Sequence, residues 1–309
     1  MATDTDSDEH VDSDTPQPLV QMLRMLWQDK FALAAVTFLV LIVFCAVFGP
    51  SLLDGAATRP NLRLRNAAPF DFAKHWLFWL GGDALGRPLL ARIVVAAQNT
   101  IMVAAGAVAC SLVVGTTLGL IAGYTSKLAS QVIMRLSDVI MSFPSLLLAV
   151  IVLYMLPPSV GNLVIVLAIT RIPIYLRTSR AEVLEVRERM FVQAARIMGA
   201  SSGRIISRHI LPIVFPTLIT IATLDFAFVM LAESSLSFLG IGIQPPEITW
   251  GLMVSQGRPY LTTAWWLSFW PGLAIVLTTL SLNILSNWMR TALDPAQRWR
   301  LEIARSKDG

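Results

Sequence analysis

The sequence predicts an all-α membrane protein with six transmembrane helices, and three observations carry that reading. Hydrophobic residues make up 55% of the chain against 14% charged, with a mean hydropathy of +0.65, a balance seldom met in a soluble domain. Several apolar runs reach the roughly 20 residues that a helix needs to cross a bilayer. The arginines cluster beside those runs, as expected where basic residues hold short loops on the cytoplasmic side.

Residues 1–18 hold Asp4, Asp6, Asp8, Glu9, Asp12 and Asp14 among Ser, Thr and Pro. With almost nothing to bury, they predict a disordered acidic cytoplasmic tail, without the positive start and short apolar core of a secretory signal. Residues 19–92 form an N-terminal region. Its apolar run from Phe31 to about Leu53 follows Arg24 and Lys30, which predicts a first span with its amino end inside. Pro60, Pro69 and the aromatics Phe70, Phe72, Trp76, Phe78 and Trp79 then predict an external segment lying at the membrane interface. Arg59, Arg63, Arg65 and Lys74 run against the positive-inside pattern there.

Residues 93–291 hold five further spans. The second, about Ile93 to Tyr124, carries Gly115, Gly119 and Gly123 on one face, where small residues let another helix approach closely, one of the same chain in preference to one of another subunit. The third runs from about Val132 to Met155, and Pro157-Pro158 turns the chain back. The fourth, about Gly161 to Leu176, has Arg171 and Pro173 near its inner end; an arginine is costly in lipid, so this one belongs near the headgroups or against a polar interior. The fifth, Ile213 to about Phe238, is interrupted by Pro216 and carries Asp225 and Glu233, on roughly one side of a helix. Gly240, Pro245-Pro246 and Trp250 read as a helix end, a rigid external turn and an interfacial tryptophan. The sixth span covers about Trp266 to Trp288, and residues 292–309, with Arg298, Arg300 and Arg305, make a cytoplasmic C-terminal tail.

Between the fourth and fifth spans lies the most charged long segment, Glu182 to Pro212. Arg187, Arg189, Arg196, Arg204 and Arg208 stand against Glu182, Glu185 and Glu188, which places the loop in the cytoplasm. Phe191, Ala194, Ala195 and Met198 fall at helical spacing, and Gly199 stands where a glycine ends a short helix. The result is one small apolar face, suited either to packing on its own bundle or to docking a partner.

Several chemistries find no support. Cys45 and Cys110 lie far apart in apolar runs, and His10, His75 and His209 form no ligand-spaced cluster, so neither a disulfide nor a metal site is expected. Gly199 to Arg204 lacks the spacing and the lysine of a phosphate loop. No Ser-His-acid set can be assembled. The basic residues follow the spans, which argues against nucleic acid.

The spacing in the loop carries further. Gln193-Ala194-Ala195, then Gly199, then His209-Ile210-Leu211-Pro212 resembles the EAA loop of ABC importer permeases, with Gln193 for the leading Glu and His209 for an Ile. His-Ile-Leu-Pro is similar to the variant of the dipeptide, oligopeptide and nickel branch. Four other stretches resemble that branch. Gly82-Asp83, Gly86-Arg87 and Arg92 precede the second span, with Gly82 for a Thr and Pro88 for an Asp. Gly123-Tyr124, Met134-Arg135 and Asp138 flank the inner turn. Glu233 to Gly251 follows its E-x-x-L-S-F-L-G-x-G-x-x-P-P-x-x-x-W-G pattern, and Ala292-Leu293-Asp294-Pro295 its C-terminal signature.

The resemblance implies a type I ABC importer permease fold with a cytoplasmic coupling helix, in a bacterial inner membrane with both termini cytoplasmic. Its implied partners are a sister permease, two cytoplasmic ATPases and an external solute-binding protein. ATP and Mg belong to the ATPases, and this chain is expected to bind no cofactor and to catalyse nothing. It assigns the ATPase-coupling loop to Phe191, Gln193, Ala194, Ala195, Arg196, Gly199, Ala200, Ser201, His209, Leu211 and Pro212. Asp225 and Glu233 are candidates for the translocation pathway, since acids within a membrane are functional or paired. Two other classes compete: an ion-coupled secondary transporter using Asp225 and Glu233 as a proton relay, for which a repeated half is missing, and a scaffold, which leaves the loop spacing unexplained.

Overall fold

The structure, a computed structural model, describes residues 25–293. The acidic tail, Arg24 and the residues from Asp294 onward lie outside it. Nine helices order the described residues: α1 (Lys30–Thr58), α2 (Leu89–Tyr124), α3 (Lys127–Met141), α4 (Ser145–Met155), α5 (Val160–Val186), α6 (Met190–Ile197), α7 (Ser202–Phe238), α8 (Trp250–Gly257) and α9 (Trp266–Leu293). Five of them, α1, α2, α5, α7 and α9, are long and apolar enough to cross a membrane.

The expected third span is not one straight helix. α3 and α4 meet at an 85° bend, because Pro144 has no N–H to continue the ladder and holds Phe143 away from helical geometry. Ser142 closes the first piece, its N–H and its hydroxyl both donating to Asp138 O at 3.0 and 2.8 Å. The third span is therefore a bent pair, which with the five long helices makes six. The fourth and fifth spans are longer than their apolar runs: α5 continues through Arg177, Arg180 and Glu182 to Val186, and α7 begins at Ser202 with a π-helical turn over Ile206–Ile210. Polar contacts with α3 accompany α5 out of the apolar zone: Arg177 pairs with Asp138 at 2.7 Å and Arg180 Nε donates to Ser130 Oγ at 3.0 Å.

The glycine face of α2 packs on α5 of the same chain. A Cβ at Gly115 would stand 2.7 Å from Ile172 O and Tyr175 Cβ; at Gly119, 2.5 Å from Ser179 Cβ; at Gly123, 2.7 Å from Val183 Cβ. Lipid offers no hydrophobic drive between helices, so backbone proximity and dispersion must hold this seam.

Residues 59–88 form a folded cap over one end of the bundle, more than an interfacial strip. Asn61 N bonds Leu85 O, Asn66 N bonds Asp83 O and Gly82 N bonds Ala67 O, at 2.9 to 3.0 Å. The hub is Asp83. Its Oδ1 accepts from Leu85 N and Arg87 N, and its Oδ2 from Arg87 Nε at 2.7 Å and Arg92 Nη1 at 2.8 Å. Arg92, 3% exposed, also reaches Gln256 of α8, tying the cap to α2 and α8. Removing one member of such a buried ionic set strands the others, so Asp83→Ala is expected to cost about 3 kcal/mol or more, read as a lower thermal midpoint in detergent.

Trp250 is corrected from interfacial to core. It is 0% exposed, its Nε1 donates to Ile93 O at 2.9 Å and its backbone N to Thr100 Oγ1 at 3.1 Å. The expected helix end at Gly240 is in place, at φ +78°.

Candidate functional site: the loop helix and its two legs

α6 is a short bar joining the lower ends of α5 and α7. It ends in a Schellman turn: Gly199, at φ +83°, donates to Arg196 O at 3.1 Å and Ala200 to Ala195 O at 3.0 Å, geometry that glycine adopts without strain. At its start, Gln193 Nε2 donates to Glu188 O at 3.1 Å. Gln193 therefore closes the turn before the helix.

The two faces of α6 differ from the expected single one. Val192 and Ala195 are buried and pack with Tyr175, Val183 and Val186 of α5 and Ile205, Ile210, Val214 and Leu218 of α7. Ala195, expected on the docking face, belongs to the chain's own core. Met190, Ile197 and Met198 are 86%, 87% and 82% exposed, with Ala194 exposed between them and Phe191 at the edge. The inner face packs on its own bundle, and the opposite face is left uncovered. Met190, Ala194 and Ile197 recur at i, i+4 and i+7; that period was present in the sequence and outlines the outward face.

The bar is fixed to its surroundings. Arg187 Nη1 donates to Gly123 O at 2.9 Å, and the Arg196 guanidinium lies 5.7 Å from the Tyr124 ring centre, so the end of α2 is joined to the loop. His209 sits in the π turn with its ring 6.4 Å from Phe191. Leu211 and Pro212 follow directly, where the π turn gives way to the regular part of α7 and proline has no N–H for the preceding turn. Ser201 precedes α7 with extended backbone and Ala200 packs on the shared core.

Further up, the legs meet again. Asp225 of α7 is 2% exposed. Its Oδ1 accepts from Arg171 Nε and Nη2, and its Oδ2 from Tyr175 OH at 3.0 Å. The Arg171 guanidinium lies 4.1 Å from the Phe228 ring centre. Eleven residues into α5, or about 17 Å at 1.5 Å per residue, Arg171 meets the polar partner expected of it. Glu233 faces elsewhere: it is 0% exposed, accepts from Ser237 Oγ at 2.7 Å and Ser234 Oγ at 3.3 Å, and is also bonded by Thr249. The two acids do not share one set of neighbours.

The model of the family described as binding-protein-dependent transport system inner membrane component matches residues 115–299. The chain belongs to that family. Residues 17–69 match the N-terminal TM domain of oligopeptide transport permease C. The di/tripeptide transport system permease protein DppC of Pseudomonas aeruginosa is 39% identical over 289 residues, 91% of this chain and 93% of the relative. The probable D,D-dipeptide transport system permease protein DdpC of Escherichia coli is 36% identical over 275 residues, 88% of this chain and 91% of the relative. A chain of the inward-facing MetNI methionine ABC transporter shares the fold at a TM-score of 0.55 and 15% identity, covering 66% of this chain and 98% of that one. This binding-protein-dependent transport component is an ABC importer permease of the peptide branch, multi-pass in the inner membrane. That assignment sets aside the ion-coupled transporter.

Proposed function

We propose that this permease forms, with a sister permease, the membrane route for ATP-driven uptake of short peptides or a related small solute. The single observation that carries the proposal is α6: a short helix with a packed inner face and an exposed apolar outer face, held between two membrane-crossing legs. A separate ATPase subunit receives the outer face in a cleft, and a second ATPase serves the sister permease. ATP and Mg bind there, not on this chain. Closure of the ATPase pair brings the coupling helices together, and the legs carry that movement upward to switch the route from inward-facing to outward-facing. An external solute-binding protein delivers the cargo. Both chain termini lie in the cytoplasm, on the side of α6. Peptide cargo is supported by the names of the relatives, di/tripeptide and D,D-dipeptide permeases. Asp225 and Glu233 are the candidates for the translocation pathway on this reading.

The test is Gly199→Leu in the assembled transporter. Nothing lies within 4 Å of a Cβ at this position, so the chain has room for the side chain, while its φ of +83° opposes any residue with a Cβ by roughly 1–2 kcal/mol. The variant is expected to insert normally and to lose ATPase association and coupled uptake. Wild-type uptake by Gly199→Leu would overturn the docking role.

A further inference from the structure

We propose that Arg171, Tyr175 and Asp225 form a clasp that makes α5, α6 and α7 move as one lever, so that displacement of α6 reaches the upper bundle undiminished. The inference rests on the reading of α6 as the point where the ATPase pushes. It concerns what happens to that push afterwards.

A bar joining two legs transmits movement only if the legs do not splay or slide. In their lower halves α5 and α7 are joined through α6 by apolar side chains, Val183 and Val186 on one side and Ile205, Ile210, Val214 and Leu218 on the other. Apolar contacts are non-directional, and in lipid no hydrophobic drive favours one register of two helices over another. The next tie above them is directional. Both oxygens of Asp225 are engaged by α5, Oδ1 by Arg171 and Oδ2 by Tyr175. Arg171 and Tyr175 stand at i and i+4, neighbours on one helix face. Arg171 in turn lies over Phe228, one turn beyond Asp225. Two residues on each leg thus interlock, and sliding or rotating one leg breaks charge-assisted bonds that nothing in the membrane interior replaces.

The clasp is also seated against α2. Tyr175 Cβ occupies the space that a side chain at Gly115 would fill, and Tyr175 itself is 0% exposed. A proton relay does not fit the same atoms. Arginine keeps its proton under all ordinary conditions, so a carboxylate held by one serves as an anchor.

The transporter assembled with its sister permease and ATPases in proteoliposomes gives the test, with ATP hydrolysis and uptake of a labelled dipeptide measured on the same sample. Asp225→Asn preserves shape and removes the charge. It is expected to leave hydrolysis within about two-fold of wild type and to lower uptake at least about ten-fold, so that transport per ATP falls. Arg171→Asp combined with Asp225→Arg is expected to recover uptake to within about three-fold, while each single reversal stays inactive, as a coupled pair requires. Transport per ATP unchanged in Asp225→Asn overturns the clasp, and so does hydrolysis falling in parallel with uptake, which marks a structural role alone. If the single variants do not accumulate, the swapped pair decides: recovered transport per ATP supports the clasp and its absence overturns it. Failure of the underlying reading is separate and visible in wild type, as a permease that binds no ATPase subunit.

Discussion

Leucine in place of Gly119 is expected to leave almost no folded protein in the membrane. The neighbours of that position are the reason. A Cβ there would lie 2.5 Å from Ser179 Cβ and 2.6 Å from Leu176 O, with Arg180 N at 3.1 Å. Two of these atoms are backbone and the third is a Cβ, so no side chain can swing aside. The helices must separate along a seam that also includes Gly115 and Gly123, where the same crowding repeats against Ile172, Tyr175 and Val183. Inserting one methylene into a packed core costs about 1–3 kcal/mol, and leucine adds four heavy atoms at the tightest point. Separation also moves Tyr175 off its seat and shifts Arg187 away from Gly123 O, so the loop loses its hold on α2. Detergent-extracted protein passed through size exclusion should show at least a ten-fold drop in the folded peak, given those several kcal/mol. Gly161→Leu, with nothing within 4 Å, should behave as wild type. Equal folded yields from the two variants would refute the seam.

The seam was legible because its signal is local: three glycines four residues apart on one helix, in a solvent that gives small residues a packing purpose. The ends of the loop helix were legible for a similar reason, since Gly199 marks a left-handed position that few other residues accept. What stayed hidden depends on contacts between distant segments. Arg171 and Asp225 were each recognisable as costly in a membrane, but their pairing spans 54 residues and no spacing rule predicts it. Asp83 was visible only as a motif letter; three of its donors are local, on Leu85 and Arg87, and the fourth, Arg92, joins it from α2. Trp250 was misplaced because tryptophan beside a polar turn is common at interfaces, whereas here Thr100 and the Ile93 carbonyl supply buried polar partners. The bend at Pro144 overrode an apolar run that looked continuous. Glu182 to Val186 carry the charge of a loop, yet they continue α5, which is tied to α3 by the Arg177–Asp138 ion pair.

The division of α6 into two faces has its own consequence for mutation. Ile197 and Val192 are both β-branched apolar residues of one eight-residue helix, so composition alone predicts similar outcomes for aspartate at either. Burial separates them: Val192 is 0% exposed and Ile197 is 87% exposed. Val192→Asp places a charge among Val183, Ile205 and Ile210 with no partner, and the protein answers by losing the fold of the loop. Ile197→Asp places its charge in water, so insertion, yield and thermal midpoint should match wild type. The cost is deferred until a partner covers that surface, when the carboxylate must be desolvated against an apolar cleft. Anchoring residues at the centre of an interface are worth about 2 kcal/mol or more, so association with the ATPase subunit should weaken at least about thirty-fold, and uptake should fall with it. The measurement is co-purification of the ATPase with each variant at matched permease levels. A stable Ile197→Asp permease that retains its ATPase and transports at the wild-type rate would show that the outward face of α6 is not where the motor binds, however well the helix is formed.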